Sequence, residues 1–265
     1  KHIHIVGKVD IMDVITIINQ KGGVGKSTTA LALGHGLQAK GKSVLFIDLD
    51  AQGNISYTLN GNTDGYNALG ILQRPETAPQ EIQHTKLGDL IPSTPSLSGA
   101  DNILTATGKE YKLKEALEFI SKKYNYDYVI IDTPPALGIL TINALTASDY
   151  AIIPAQADIY SLQGITQLNN TIQVVKKYTN QKLEILGIVL TRYNARATLT
   201  RELTDLLEDT AKQLDTKVFK TRIRENIAIK EAQAVKQNLY TYAPKSNASK
   251  DYTDLIDEIE THIIF

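Results

Sequence analysis

The stretch Gln20-Lys21-Gly22-Gly23-Val24-Gly25-Lys26-Ser27-Thr28-Thr29 decides the fold. It follows a short apolar, β-branched run from Val14 to Ile18 and leads into a predicted helix from Ser27 to Lys40. Glycines in such a turn let backbone N–H groups converge on phosphate oxygens, and the N-terminus of the helix adds a favourable dipole. The stretch therefore predicts a phosphate-binding loop in which residues 22–28 contact a nucleotide.

Two side chains of this loop have predicted roles of their own. Lys26 is expected to neutralise charge on the β- and γ-phosphates, and the Ser27 hydroxyl is expected to ligate Mg²⁺. The standard G-x-x-x-x-G-K-[ST] pattern has glycine where this chain has Gln20, and Lys21 instead opens a K-G-G-x-G-K-S form. A merely structural glycine-rich turn is the alternative, and the strand-to-helix setting of seven specified positions disfavours it.

Buried-strand patterns recur along the chain and alternate with helical periodicity. Further strands are predicted at Val44 to Ile47, Tyr128 to Ile131, Ala151 to Pro154 and Leu183 to Leu190, and helices at Tyr111 to Tyr124, Leu162 to Tyr178, Thr198 to Leu214 and Lys250 to Ile263. Gly53 to Gly108, rich in Gly, Pro, Asn, Thr and Ser, is expected to hold short helices and functional loops. The alternation predicts an α/β fold: a doubly wound, mostly parallel sheet with helices on both faces.

The composition is that of an ordinary globular protein. The 265 residues are 42% hydrophobic and 22% charged, which is compatible with one large domain over residues 13–265. Residues 1–12 are interpreted as a tag remnant or an N-terminal extension. The absence of cysteine excludes disulfides, thiolate zinc sites and Cys-ligated iron–sulfur clusters. Because no apolar run is long enough to span a membrane, a cytoplasmic protein is expected.

Acidic residues follow two of the predicted strands. Asp48 and Asp50 come directly after Val44 to Ile47, and Asp132 follows Val129-Ile130-Ile131. In a parallel sheet the carboxyl ends of the strands meet beside the phosphate-binding loop, where phosphates and Mg²⁺ lie. A strand-terminal Asp is typical of the carboxylate that holds Mg²⁺ through its water shell, so Asp132 is assigned that role. Solvated turn residues are the alternative interpretation.

The K-G-G-x-G-K-S loop resembles the deviant Walker A motif of the ParA/MinD group of ATPases. The resemblance extends from about Asp13 onwards and is most specific to the ParA/Soj-type partition ATPases in these stretches: Asp48 to Asn54, Thr133-Pro134-Pro135, Gly138 to Ala147, Ile153-Pro154, Ser161 to Gly164 and Val189 to Tyr193. It implies ATP and Mg²⁺ as cofactors and a homodimer when ATP is bound. In such a dimer Lys21 would reach the nucleotide of the other subunit and so act catalytically.

The same resemblance implies roles for other side chains. Asp50 would orient the attacking water, and Asp48 would support the metal shell together with Ser27 and Asp132. Thr191, Arg192 and Asn226 would border the adenine. Ala51 replaces the proline that the family has between Asp50 and Gln52.

A basic segment lies near the C-terminus, although the net charge of the chain is −1. Lys217 to Lys250 contains eight Lys or Arg against two Glu. Soj-like proteins bind DNA non-specifically through basic residues in this part, but their I-P-R-N stretch corresponds to Ile223-Arg224-Glu225-Asn226 here, so the family's arginine falls on Glu225. The predicted DNA contacts are Arg201, Lys220, Arg222, Arg224 and Lys250. A solvated basic face is the alternative.

The resemblance predicts plasmid or chromosome segregation, with nucleoid association of the ATP form and stimulation by a ParB-type, centromere-binding partner. MinD-type ATPases are the main rival, but they bind membranes through a basic amphipathic helix, whereas residues 251–265 carry five acids and no Lys or Arg. Iron-protein relatives need cysteines that this chain lacks. A cargo-positioning ATPase whose target is a protein stays open. Because only about a dozen residues precede the first strand, no operator-binding helix-turn-helix region is expected.

Overall fold

The computed structural model describes residues 12–195 and 198–263, without the side chains of residues 198–201. Residues 1–11, most of the predicted extension, lie outside this part. The strands are β1 Asp13–Ile17, β2 Val44–Asp48, β3 Gln83–Thr85, β4 Gly88–Ile91, β5 Tyr128–Asp132, β6 Tyr150–Ala155, β7 Glu184–Tyr193 and β8 Val218–Arg224. The α-helices are α1 Lys26–Ala39, α2 Asn54–Thr58, α3 Ala68–Gln73, α4 Ala78–Glu81, α5 Ala100–Ile103, α6 Lys112–Ser121, α7 Ile139–Ala147, α8 Ile159–Tyr178, α9 Thr198–Gln213, α10 Ile227–Ala234, α11 Leu239–Tyr242 and α12 Asn247–Ile263.

The described strands form one eight-stranded sheet in the order β3-β4-β2-β5-β1-β6-β7-β8. Each neighbouring pair is parallel except β3 and β4, which form an antiparallel edge. The central strands are almost wholly apolar because a parallel sheet is covered on both faces. The predicted mostly parallel, doubly wound α/β sheet is confirmed.

Successive residues of each strand face opposite layers of helices, as the two-residue period of a strand requires. In β2, Phe46 packs into a core with α1 and α12, whereas Leu45 and Ile47 pack into a second core with α3, α6 and α7. A third core lies between β6, β7 and the helices α8 and α9. Helices therefore cover both faces of the sheet.

Gly53 to Gly108 differs in part from its prediction. The expected short helices are there, as α2 to α5, but the segment also adds β3 and β4 to the sheet. The polar β3 has no apolar pattern to reveal it, because it is an edge strand. Gly88 opens β4 at φ +139°, and a Cβ at this position would lie 2.7 Å from Gln38 Nε2 and 3.1 Å from the Phe46 ring. The hairpin can thus approach α1 closely only with glycine there.

The carboxyl ends of the central strands meet at one edge of the sheet. The register pairs Asp48 of β2 with Asp132 of β5, and Asp132 in turn with Ile17 of β1. The chain leaves β1 at this point and enters the glycine-rich loop. In the described part of the chain, no helix combines the length and apolar character that a membrane span requires.

Candidate nucleotide-binding site

The glycine-rich loop is an open cradle of backbone between β1 and α1. Gly23 has φ +75° and Gly25 has φ +91°, which is left-handed backbone that other residues adopt at a cost. Gly25 is the N-cap of α1, so the free N–H groups of the helix point into the loop. No atom lies within 4 Å of a Cβ built on Gly22 or Gly23. The cradle therefore has room for phosphate oxygens.

A cavity of about 570 Å³ opens above the loop. Its lining includes the predicted residues Gly22, Gly23, Gly25, Lys26, Ser27, Thr28, Asp50 and Arg192, together with Gln52, Asn54, Tyr57, Thr58, Pro135, Lys230, Gln233 and Ala234. Val24 lies beneath the loop, with 1% of its surface exposed. The structure thus brings the loop and Asp50 to one cavity, as the sequence predicted.

Lys26 lies at the floor of this cavity. Its side chain is buried, and its Nζ donates to the carbonyl oxygen of Lys21 at 3.3 Å. Burial lowers the pKa of Lys26, while the nearby carboxylates of Asp132 and Asp50 act in the opposite direction. The amine is therefore held next to carboxylates, at the place where negative phosphate oxygens would enter.

The surroundings of Asp132 and Asp48 show whether these two carboxylates are suited to binding a metal ion. Both are buried, and burial raises the pKa of each, that of Asp48 to about 6. Asp48 has protein partners: its Oδ2 accepts from Ser56 N and Oγ, at 2.8 and 2.7 Å, and its Oδ1 accepts from Asp50 N at 3.2 Å. Within the described residues, neither carboxylate oxygen of Asp132 accepts a hydrogen bond of good geometry, although the nearby Ser27 hydroxyl and Lys26 amine act to lower its pKa.

Two unpaired, fully buried carboxylate oxygens are costly unless a cation or its water shell satisfies them. Asp132 at the end of β5 fits the water shell of Mg²⁺, which gives up its waters reluctantly. Asp48 accepts hydrogen bonds that fix the loop carrying Asp50, and its predicted place in the metal shell stays a prediction. The two predicted metal residues therefore differ in their surroundings, which their strand-terminal positions did not reveal.

Asp50 lies in the turn between β2 and α2. Its Oδ1 accepts from Gln52 N at 3.0 Å, and its carbonyl oxygen accepts a short hydrogen bond from Ser93 Oγ. Gly53 follows at φ +61° and is the N-cap of α2. The turn is held in place without the proline that the family has at position 51, and it directs the Asp50 side chain to the cavity.

A smaller cavity of about 190 Å³ adjoins the first. The predicted adenine-bordering residues Thr191, Arg192 and Asn226 line it together with Val24, Gly25 and Thr28 of the loop. Thr191 Oγ1 donates to Val24 O at 2.8 Å, which ties the end of β7 to the loop. Asn226 caps α10 by accepting from Ala228 N at 2.9 Å. The structure brings these three residues together, although they are up to 200 positions from the loop in sequence.

Sequence reasoning missed the contribution of α10 and α2 to these cavities. Lys230 and Gln233 line both cavities, and Gln233 Nε2 donates to Thr28 Oγ1 at 3.2 Å. Tyr57 lines the larger cavity. No motif marks these residues, because the packing of α10 against the loop is a long-range tertiary contact.

Lys21 is the one predicted catalytic residue that does not line either cavity of the described chain. Its Nζ lies 2.5 Å from Asp158 Oδ2, at the start of α8. The second lysine of the loop is therefore paired with the start of α8 and does not line the cavity above the phosphate-binding loop.

Most of the predicted DNA-contacting cations are paired with acids. Arg224 binds Asp251 through Nε and Nη2, at 3.0 and 2.5 Å, Arg222 lies 3.7 Å from Glu208, and Lys250 lies 2.7 Å from Asp254. Arg224 also lines the smaller cavity. Lys220 is exposed, with no ion pair found among the described residues, and the side chain of Arg201 lies outside them. The sequence count of the basic segment thus overstates its free positive charge, because α9 and α12 bring acids against it.

The fold and the site define a P-loop nucleotide-binding protein with a second lysine in its loop. A family model described as an AAA domain matches residues 12–185. Over 251 residues the chain is 41% identical to the sporulation initiation inhibitor protein Soj of Bacillus subtilis, covering 93% of this chain and 97% of Soj. It is 39% identical to the chromosome partitioning protein ParA of Caulobacter vibrioides, covering 93% of each.

Solved structures give the same result. The plasmid partition protein of Borrelia burgdorferi bound to AMPPNP is 28% identical, with a TM-score of 0.80 over 96% of this chain and 100% of that one. Cobyrinic acid a,c-diamide synthase from Mycobacterium smegmatis, with bound ADP and magnesium, is 31% identical, with a TM-score of 0.81 over 96% of each chain. This chain belongs to the Soj/ParA family of partitioning P-loop ATPases. The predicted cofactors, ATP and Mg²⁺, match the nucleotide and metal that these neighbours bind.

Proposed function

We propose that this protein is a Mg²⁺-dependent ATPase whose ATP-bound homodimer holds DNA without sequence specificity and releases it on hydrolysis. The observation that carries the proposal is that the two lysines of the loop have different positions and different partners. Lys26 lies in the phosphate cavity, whereas Lys21 does not line it and is paired with Asp158. A lysine that does not serve its own nucleotide is available to the nucleotide of a partner.

The residues of one subunit have distinct parts in the reaction. The loop N–H groups and Lys26 bind the β- and γ-phosphates, and the Asp50 carboxylate orients a water and accepts its proton. Ser27, and Asp132 through waters, would hold Mg²⁺, which would supply charge neutralisation at the phosphoryl group. Asp48 keeps the Asp50 turn in place by accepting hydrogen bonds from Asp50 N and Ser56 Oγ.

Lys21 makes the reaction depend on association. A second cation at the transferring phosphoryl group stabilises transition-state charge as an arginine finger does, which is worth about 10³–10⁵ in rate in GTPases. If the partner subunit supplies this cation, a monomer binds ATP but hydrolyses it slowly. Dimerisation then becomes the switch between the two states.

The dimer would bind the DNA backbone through cations that have no acidic partner. Among the described residues of the basic segment, Lys217, Lys220 and Lys245 have no ion pair, unlike Arg222, Arg224 and Lys250. Each subunit contributes the same set, so dimerisation doubles the phosphate contacts and steepens the salt dependence. By family resemblance, a ParB-type, centromere-binding partner stimulates turnover, and the ATP form associates with the nucleoid in the cytoplasm.

The test is binding to random-sequence duplex DNA with ATP, ADP or no nucleotide at two salt concentrations. We expect retention only with ATP, weakening steeply with salt, and none for Lys21→Ala. Lys26→Ala, which loses nucleotide, is the matched control within the same loop. Absence of DNA binding in every nucleotide state would contradict the DNA-binding part of the proposal and would favour a protein cargo, or a membrane as in the MinD-like alternative.

A further inference from the structure

We propose that Asp158 is a positioning residue for Lys21: their ion pair holds this lysine on its own subunit until a partner subunit displaces it. This inference rests on the proposed function, because it assumes that Lys21 acts on the nucleotide of the other subunit. It adds that Asp158 determines how readily the Lys21 side chain leaves its ion pair in the monomer.

The two oxygens of Asp158 have separate partners. Oδ2 lies 2.5 Å from Lys21 Nζ, and Oδ1 accepts from the backbone N–H of Ser161 at 2.9 Å. Asp158 is thereby the N-cap of the 20-residue helix α8. The carboxylate is fixed to a long helix, so the mobile member of the pair is the lysine side chain.

The backbone of Lys21 is also fixed. Its N–H donates to Asn19 Oδ1 at 2.9 Å, and Asn19 Nδ2 donates to Pro154 O at 2.7 Å. Asn19 is completely buried. Lys21 can therefore change partner by side-chain rotation alone, without rearrangement of the phosphate-binding loop.

The charge state of Asp158 suits this role. Burial alone would raise its pKa, but the hydrogen bonds from Lys21 and from Ser161 outweigh burial and hold the pKa below its ordinary value. The carboxylate is thus ionised at neutral pH and competes electrostatically for the amine.

The surroundings of the pair favour displacement by a protein surface. Ile159 and Tyr160, in the first turn of α8, expose 55% and 69% of their surfaces, and Lys21 Nζ lies 5.9 Å from the centre of the Tyr160 ring. A subunit packing over this turn would bury these apolar side chains and offer the amine several phosphate oxygens in place of one carboxylate. The side chains of the pair are 27–30% exposed, and ion pairs of this kind are weak. The pair therefore raises the protein concentration needed for dimerisation without preventing the reaction.

Asp158→Asn separates the ion pair from the helix cap, because Asn caps helices as well as Asp but carries no charge. The first experiment measures modification of Lys21 by an amine-reactive reagent in the nucleotide-free full chain, located by peptide mass mapping. We expect Lys21 to be labelled roughly threefold faster in Asp158→Asn than in the wild type. This factor corresponds to the free energy of one partly exposed ion pair. Asp158→Glu, which keeps the charge, is expected to restore protection. Equal labelling in Asp158→Asn and the wild type overturns the pairing.

The second experiment measures ATP hydrolysis per subunit as a function of protein concentration. Freeing Lys21 should move the half-maximal concentration of Asp158→Asn roughly threefold lower, with Asp158→Glu close to the wild type. An unmoved or higher midpoint overturns the proposal. Asp158→Ala, which loses the cap as well, shows in a thermal melt how much of any effect comes from α8 itself.

Lys21→Ala separates this inference from the proposed function. If Lys21→Ala hydrolyses ATP with wild-type concentration dependence, the proposed role of Lys21 in trans is wrong, whatever Asp158→Asn does. If Lys21→Ala is inactive and the Asp158→Asn midpoint is unmoved, only the positioning role of Asp158 fails. In the Lys21→Ala background, Asp158→Asn is expected to have no further effect on the midpoint of dimer formation.

Discussion

The carboxylates of Asp48, Asp50 and Asp132 lie at one edge of the sheet but have different surroundings. Asp48 is completely buried and accepts hydrogen bonds from Ser56. Asp132 is completely buried and lies near Ser27 and Lys26, and Asp50 is partly exposed at the cavity. A group that moves a proton must be accessible to both the substrate and water, and Asp50 is the one of these three carboxylates that lines the cavity. The exposure of Asp50 at the cavity therefore supports its proposed role at the attacking water.

Asp50→Asn is the corresponding prediction at the residue scale. Asn keeps an oxygen for the hydrogen bond from Gln52 N but cannot accept a proton as a carboxylate does. Turnover should fall about 10²–10⁴-fold, the usual contribution of a general base, while ATP affinity stays within about twofold. Single-turnover hydrolysis and equilibrium binding of a fluorescent ATP analogue measure the two quantities. An unimpaired rate would remove Asp50 from the mechanism.

Helix α1 joins the phosphate loop to the rest of the fold through a buried histidine. His35 is 2% exposed, packs edge-on against Phe46 with ring centres 5.5 Å apart, and bonds through Nε2 to the carbonyl of Leu87 at 3.1 Å. A carbonyl only accepts, so Nε2 carries the proton of a neutral ring. This contact fastens α1 to the β3–β4 hairpin and helps to keep the loop at its N-terminus in place.

The element-scale prediction is a loss of stability in acid that depends on His35. Burial lowers its pKa to about 4, from an ordinary value near 6.5. Below about pH 6.5, His35 becomes protonated in the unfolded chain but stays neutral in the folded chain. The free energy of unfolding therefore falls as the pH falls from about 6.5 towards 4. Between pH 7 and pH 5 the free energy of unfolding should fall by about 2 kcal/mol more in the wild type than in His35→Gln.

Denaturant titrations of both proteins at the two pH values measure this difference. Other groups titrate in the same range, and the comparison between wild type and variant cancels their contribution. Parallel pH dependences would show that His35 is not the group responsible.

At the scale of the whole molecule, the two lysines of the loop have different surroundings. Lys26 faces the cavity formed by the loop, α2 and α10, whereas Lys21 is held by Asp158 at the neighbouring helix α8. Under the proposed function, a complete catalytic set would come from two subunits: the loop and Asp50 from one, and Lys21 from the other. A mixture of two inactive variants can test this directly.

Lys21→Ala and Asp50→Ala subunits should complement each other if Lys21 acts in trans. In the mixed dimer, the site on the Lys21→Ala subunit keeps its own Asp50 and receives Lys21 from its partner, while the other site stays inactive. In an isolated mixed dimer one of the two sites works, so its rate should be about half that of the wild-type dimer. Differently tagged subunits allow mixed dimers to be isolated. Isolated mixed dimers that hydrolyse no ATP would contradict action in trans.

The sequence by itself determined the strand–loop–helix unit around residues 20–29, the central buried strands and the carboxylates that end them. Each is a local signal: a run of β-branched residues, glycines before a helix, or an acid at a strand end. The loop residues and Asp50 accordingly line one cavity, as predicted. Charge counting over Lys217 to Lys250 was less informative, because sequence does not show that Asp251 lies against Arg224.

Only the tertiary structure decided the contacts between distant segments. Three features join positions whose spacing follows no helix or strand period. They are the edge strand β3, the cavity walls contributed by Lys230 and Gln233, and the pairing of Lys21 with Asp158. The difference between Asp48, which accepts hydrogen bonds from Ser56, and Asp132, whose oxygens accept none of good geometry among the described residues, is likewise set by tertiary packing. The physical reason is that periodicity records which face of an element is buried, whereas the residue that meets that face is set by how the helices pack on the sheet.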